Sequence, residues 1–114
     1  DRDKFIMSKG HSVEAYYAVL AAKGFFDIKD VIAKFSKFGS KFIGHPNNKL
    51  PGIEMNSGSL GHGLPVSVGM ALAAKMDDRD YRVYTVMGDG ELAEGSVWEG
   101  AMAEATTSLT ICAR

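Results

Sequence analysis

Gly88-Asp89-Gly90 puts two residue types side by side that one kind of chemistry needs together. Glycines let backbone N–H groups approach a phosphate closely, and an aspartate supplies a hard oxygen ligand for a divalent cation. A diphosphate held with Mg²⁺ asks for both. The triplet also reads, more simply, as a tight strand-to-helix turn with a capping aspartate, and a motif that short recurs by chance. Glu91, Glu94 and Glu99 follow it. Acidic residues in a helix's first turn ordinarily complement its dipole or face solvent. Glu94 and Glu99 stand five residues apart, offset around a helix rather than stacked, so their spacing implies no shared acid–base role.

Three histidines occur, and each has a glycine neighbour: Gly10-His11, Gly44-His45 and Gly61-His62-Gly63. A lone loop histidine is ordinarily a surface or hydrogen-bonding residue. Three in separate glycine-flanked loops suit a site that exchanges protons near neutral pH. Their spacing does not suit zinc, and the single Cys112 offers no second thiolate. Gly58-Ser59-Leu60-Gly61-His62-Gly63 forms a second glycine-rich loop. It reads either as a helix-capping loop with Ser59 as the cap or as a close backbone approach to a ligand. Leu60 is out of place in a pure phosphate loop and would suit a shelf beneath an aromatic ring.

The elements that must position these loops alternate. An apolar piece at Phe5–Ser8 reads as a strand, and Ser12 as the N-cap of a helix carrying Val13, Tyr16, Tyr17, Leu20 and Ala21 up to Gly24. Asp27 caps a second helix with Ile28, Val31, Ile32 and Phe35 on one face, and Gly39 lies just beyond. Residues 40–60 are rich in Gly, Pro, Asn and Ser and read as a long functional loop. A third helix runs from about Gly63 to Met76 through Leu64, Val68 and Leu72, with Pro65 in its first turn. Residues 77–80 turn into a strand at Arg82–Met87. The last helix takes in Val97, Trp98, Ala101, Met102 and Ala105, with Trp98 and Met102 expected in the core, and Leu109–Ala113 begins another strand. Strands alternating with helices predict an α/β layer fold with a parallel sheet, whose ligands gather at the carboxyl ends of the strands.

Composition excludes several other classes. The 114 residues are 46% hydrophobic and 24% charged with net charge −1, as in an ordinary soluble domain. No basic excess points to nucleic acid, and no apolar run points to a membrane. One cysteine and no visible signal peptide make a reducing, cytoplasmic compartment the expectation. An abrupt charged start at Asp1 reads as an internal piece of something longer.

Taken together, the segments resemble transketolases, most closely the amino-terminal subunit of the split, two-chain bacterial type. The resemblance is carried by residues 7–11 (Met-Ser-Lys-Gly-His), 44–46 (Gly-His-Pro), 58–64 (Gly-Ser-Leu-Gly-His-Gly-Leu), 69–75 (Gly-Met-Ala-Leu-Ala-Ala-Lys), 88–95 (Gly-Asp-Gly-Glu-Leu-Ala-Glu-Gly) and Trp98-Glu99, in the family's order. It implies that residues 1–114 form part of the diphosphate-binding domain, in a three-layer thiamine diphosphate-binding fold with a mainly parallel sheet. It also implies transfer of a two-carbon ketol unit from a ketose phosphate to an aldose phosphate, with thiamine diphosphate and Mg²⁺.

By position, Asp89 matches the Mg²⁺ ligand, and Gly88 and Gly90 the backbone cradle of the diphosphate. His11 matches a histidine near the diphosphate and substrate. His45 matches one that hydrogen-bonds the donor's hydroxyl end and the covalent intermediate. Gly58, Ser59 and Leu60 match the segment against the cofactor ring, and Glu94 and Glu99 match an acidic network at the subunit interface that also serves the cofactor. The implied partner is a pyrimidine-binding subunit or domain, in a dimer or heterotetramer.

Two departures accompany the match. His62 stands where the family more often has Gln, and residues 106–114 lack the Leu-Asp-Asn entry and the further Asn that completes the family's Mg²⁺ shell. An upstream histidine of the family precedes Asp1. The chain alone is therefore expected to bind cofactor weakly and to turn nothing over. A dihydroxyacetone synthase, another sugar-phosphate synthase relative and a non-catalytic remnant remain as alternatives.

Overall fold

The computed structural model describes residues 2–107 and the backbone of 111–113. Strand β1 (Lys4–Met7) pairs in parallel with β2 (Val83–Val86), with Lys4 opposite Val83 and Met7 opposite Val86. Strand β3 (Ile111–Ala113) pairs in parallel along the other side of β2, giving the order β1-β2-β3. Leu109 and Thr110, the start of the strand expected there, lie outside the described residues.

Alternation along β1 sets the layers. Phe5 and Met7 pack toward Tyr16 and Tyr17 of α1 (Val13–Ala22), whereas Ile6 packs with Val83 and with Ala71 of α3 (Gly63–Met76) on the opposite face. Helices thus cover both faces of a parallel sheet, as the alternation of elements requires. Helix α4 (Gly95–Thr107) lies along α3. The two approach so closely that a Cβ on Gly100 would sit 3.2 Å from the Pro65 nitrogen. No helix among the described residues is long and apolar enough to cross a membrane.

Tyr17 anchors the α1 side. Its ring is fully buried and meets Phe26, Phe35 and Phe42 edge-on, at centroid distances of 6.2, 6.2 and 5.5 Å. Its hydroxyl donates to the carbonyls of Ile43 (3.0 Å) and His45 (3.1 Å), so a core residue fixes the long loop's backbone. Tyr16 donates to the Gly52 carbonyl at 2.8 Å. Burial, reinforced by the Glu54 carboxylate, pushes its phenol up to about 12, against a smaller opposing pull from Arg2.

Several sequence expectations are corrected in detail. Asp27 does cap α2 (Ile28–Lys34), accepting from the Lys29 amide at 2.8 Å. Of its apolar stripe, however, Val31 is buried and Phe35 partly so, while Ile28 and Ile32 face solvent. So short a helix touches the aromatic cluster with one edge only. Helix α3 buries Leu64, Ser67, Val68, Ala71 and Ala74, leaving Leu72 and Met76 outward. Small side chains there let the helix lie close to the sheet. Trp98 and Met102 are not core residues: they are 60% and 62% exposed on the side of α4 away from α3, with Val97 and Gly100 facing inward. Ser12 sits at the start of α1, after a short 3-10 turn at Gly10–Ser12, but its side chain makes no capping bond.

Candidate active site

Because β1 and β2 are parallel neighbours, their carboxyl ends open at the same edge. The Ser8 amide continues the pairing by donating to the Val86 carbonyl at 2.9 Å, so Lys9-Gly10-His11 leaves the sheet beside Gly88-Asp89-Gly90. Gly88 needs to be glycine for a spatial reason: a Cβ there would lie 3.2 Å from Cδ of Lys9. Between these loops lies a cleft of about 250 Å³ lined by His11, Leu60, Lys9 and Gly88 to Glu91.

The Gly-Asp-Gly triplet does not open a helix directly. A 3-10 turn at Gly90–Ala93 intervenes, Glu94 is extended (φ −75°, ψ 131°), and α4 starts only at Gly95. Glu94 therefore stands outside α4, and its spacing from Glu99 is not a helical one. The Asp89 carboxylate is exposed at the cleft and makes no hydrogen bond or ion pair among the described residues. A free carboxylate beside two glycines and a lysine ammonium fits a diphosphate that arrives with a divalent cation. No cluster of three His, Cys, Asp or Glu side chains able to hold a metal occurs among the described residues. Asp89 would thus serve as one ligand beside phosphate oxygens, which is how Mg²⁺ is commonly held.

His45 does not line the cleft but stands next to it. Its ring Cδ2 would meet a Cβ on Gly10 at 3.2 Å and one on Gly58 at 3.9 Å, so the ring lies between the His11 loop and the Gly58 loop. Leu60 reaches the cleft from the second glycine-rich loop, while Ser59 is exposed and does not line it. Ser59 does not cap α3. His62 holds the N-cap position without a side-chain bond, and the Gly63 amide instead donates to Oγ of Ser8 at 3.0 Å. His62 faces solvent. Glu94 packs against Gly61, where an added Cβ would come within 2.7 Å of the Glu94 Cβ. Glu99 is exposed on α4, apart from the cleft. The fold thus gathers His11, Leu60, Gly88, Asp89 and Gly90, sets His45 and Gly58 alongside, and leaves Ser59, Glu94 and Glu99 outside the cleft itself.

Sequence reasoning passed over three residues. Lys9 is the cation of the cleft, signalled only by its place after an apolar strand. Glu91 is not a solvated first-turn acid. It is 1% exposed, and it accepts from the Ser8 hydroxyl, from the Gly61 amide at 2.8 Å and from the Gly88 amide at 2.9 Å. Ser8 is equally buried and links that carboxylate to the start of α3.

Residues 1–111 match the family described as transketolase, thiamine diphosphate binding domain. One subunit of the apulose-4-phosphate transketolase of Phocaeicola vulgatus is 59% identical over 102 residues, covering 90% of this chain and 36% of that protein. The transketolase of Homo sapiens is 46% identical over 105 residues, covering 91% of this chain and 16% of that protein. The crystal structure of the transketolase from Campylobacter jejuni superposes with a TM-score of 0.85 at 31% identity, over 92% of this chain and 18% of that one. The chain spans well under half the length of each of these relatives. With motifs, layer order and cleft agreeing with that match, the chain belongs to the transketolase family, within its thiamine diphosphate-binding domain.

Proposed function

We propose that the chain is the diphosphate-binding part of an enzyme that moves a two-carbon ketol unit from a ketose phosphate to an aldose phosphate, using thiamine diphosphate and Mg²⁺. One observation carries this reading: an unpartnered Asp89 carboxylate, a Gly88–Gly90 turn, Lys9 and His11 converge on one cleft at the carboxyl ends of adjacent parallel strands. When bound, thiamine diphosphate would supply the carbanion chemistry that no amino-acid side chain provides.

The chain's own residues bind and orient. Asp89 would contribute a carboxylate oxygen to Mg²⁺. The backbone of Gly88 and Gly90 and the Lys9 ammonium would neutralise diphosphate oxygens. Leu60, with Gly58 and Ser59 behind it, would lie against the ring end of the cofactor. His11 and His45, on neighbouring loops, would donate to or accept from substrate oxygens and could hold a proton there near neutral pH. Glu94 and Glu99, exposed in this chain, would face a partner subunit or domain that binds the pyrimidine, in a dimer or heterotetramer. Relatives at 59% and 46% identity are each named as one subunit of a transketolase, which supports such a partner.

The 59% identical relative is named for apulose 4-phosphate, which makes that ketose phosphate the first donor to assay and xylulose 5-phosphate the second. The test is ketol transfer by the full-length enzyme to an aldose phosphate acceptor, with products identified by mass spectrometry. With ribose 5-phosphate and xylulose 5-phosphate the expected product is sedoheptulose 7-phosphate. His45→Ala is expected to lower kcat at least tenfold and to leave cofactor affinity within about threefold. No transfer from any ketose phosphate in the presence of cofactor and Mg²⁺ would contradict the proposal.

A further inference from the structure

The buried Glu91 carboxylate is the only side chain touching all three segments that build the cleft, among the described residues. One oxygen accepts from the hydroxyl of Ser8, at the end of β1, and from the amide of Gly61, in the loop that carries Leu60. The other oxygen accepts from the amide of Gly88, at the end of β2. Ser8 in turn accepts from Gly63, and Ser67 ties the Gly63 carbonyl to the hydroxyl of Thr85 on β2.

Two of the approaches admit no side chain. A Cβ on Gly63 would fall 2.2 Å from the Ser8 Cβ. Gly61 holds φ at 82°, and a Cβ there would fall 2.4 Å from the Ser96 Oγ. The network is therefore a fixed joint between the ring-side loop and the diphosphate-side turn.

We infer that Glu91 is a positioning residue that sets the distance between the two ends of the cofactor site. The inference rests on the functional reading above. Electrostatics alone would argue against an anion in this place, because Glu91 lines the cleft in which a diphosphate would sit. Replacing it with neutral glutamine should then tighten cofactor binding. Positioning makes the opposite forecast. A glutamine amide has one acceptor oxygen and one donor nitrogen, so whichever way it turns, either the Gly61 or the Gly88 N–H faces another N–H. Hydrogen bonds to charged acceptors are among the stronger ones, and leaving a buried donor unpaired costs more than the bond was worth.

The experiment titrates thiamine diphosphate, at saturating Mg²⁺, into the cofactor-free full-length enzyme in three forms: wild type, Glu91→Gln and Ser8→Ala. It adds kcat at saturating cofactor and amide hydrogen exchange without cofactor. For Glu91→Gln the expected result is a Kd raised about tenfold or more, with a much smaller loss in kcat. Exchange should speed up in peptides covering Gly58–Gly63 and Gly88–Gly90, with α1 unchanged. Ser8→Ala keeps the charge and removes one donor, and should raise the Kd severalfold; it decides the matter if Glu91→Gln does not fold.

Cofactor binding by Glu91→Gln as tight as wild type or tighter would overturn the inference. So would exchange that accelerates uniformly across the chain, or an unchanged Kd in Ser8→Ala. A wild-type enzyme that binds no thiamine diphosphate would contradict the functional reading and the inference with it.

Discussion

At the scale of single residues, chemistry was legible where it is written in short local strings and illegible where it depends on distant partners. Asp89, His11 and the glycines of 88–90 stand in motifs a few residues long, and the fold brings them to one cleft. Glu91 occupies one of those same strings, but its partners lie 83, 30 and 3 positions away in sequence, so nothing local distinguishes it from the exposed Glu94. Gly61 gives a direct test of how tightly this joint is built. Its φ of 82° and the 2.7 Å approach of Glu94 both forbid a side chain. Left-handed backbone costs an L-residue about 1–2 kcal/mol, and the collision adds to it. Gly61→Ala is expected to lower unfolding free energy by roughly 2 kcal/mol or more in urea titrations. A cost below about 0.5 kcal/mol would show that the loop relaxes freely.

At the scale of elements, the order of strands and helices was readable because period-two and period-3.6 patterns are local, while the direction each helix faces was not. Ile28 and Ile32 share a stripe with Val31, yet only Val31 meets the aromatic cluster, since a seven-residue helix presents one edge to its neighbour. Trp98 and Met102 look like core by type, but α4 approaches α3 through Gly100, and its large residues turn outward. Packing of α1 carries a pH signature. Tyr16, on the sheet side of α1, keeps its proton up to about 12 in the fold against 10.0 for an ordinary phenol. Between those values the unfolded chain loses a proton that the folded chain retains, so stability falls as pH rises through that window. The melting temperature of wild type should drop between pH 10 and 12, and Tyr16→Phe should remove part of that drop. Identical alkaline profiles for the two would contradict the assignment to Tyr16.

At the scale of the whole molecule, the chain supplies one side of a larger site. It spans 36% of the Phocaeicola vulgatus relative and 16% of the human transketolase, so the rest of the proposed catalytic apparatus would be contributed by other residues. Trp98 and Met102, four residues apart on α4, present an exposed apolar face near Glu99. A partner chain would bury it, and buried tryptophans commonly dominate such contacts. Trp98→Ala is expected to weaken association with that partner at least tenfold by analytical ultracentrifugation, while changing the stability of this chain by no more than about 0.5 kcal/mol. Association unchanged by that substitution would place the interface elsewhere.

The central claim, that the cleft between Lys9, His11 and Gly88–Gly90 receives a diphosphate with its cation, is tested most directly by titrating thiamine diphosphate into the full-length enzyme with and without Mg²⁺, as wild type and as Asp89→Asn. The account predicts that tight binding requires Mg²⁺ and that Asp89→Asn raises the Kd at least tenfold. Binding that ignores Mg²⁺, or that survives the loss of the Asp89 carboxylate unchanged, would contradict it.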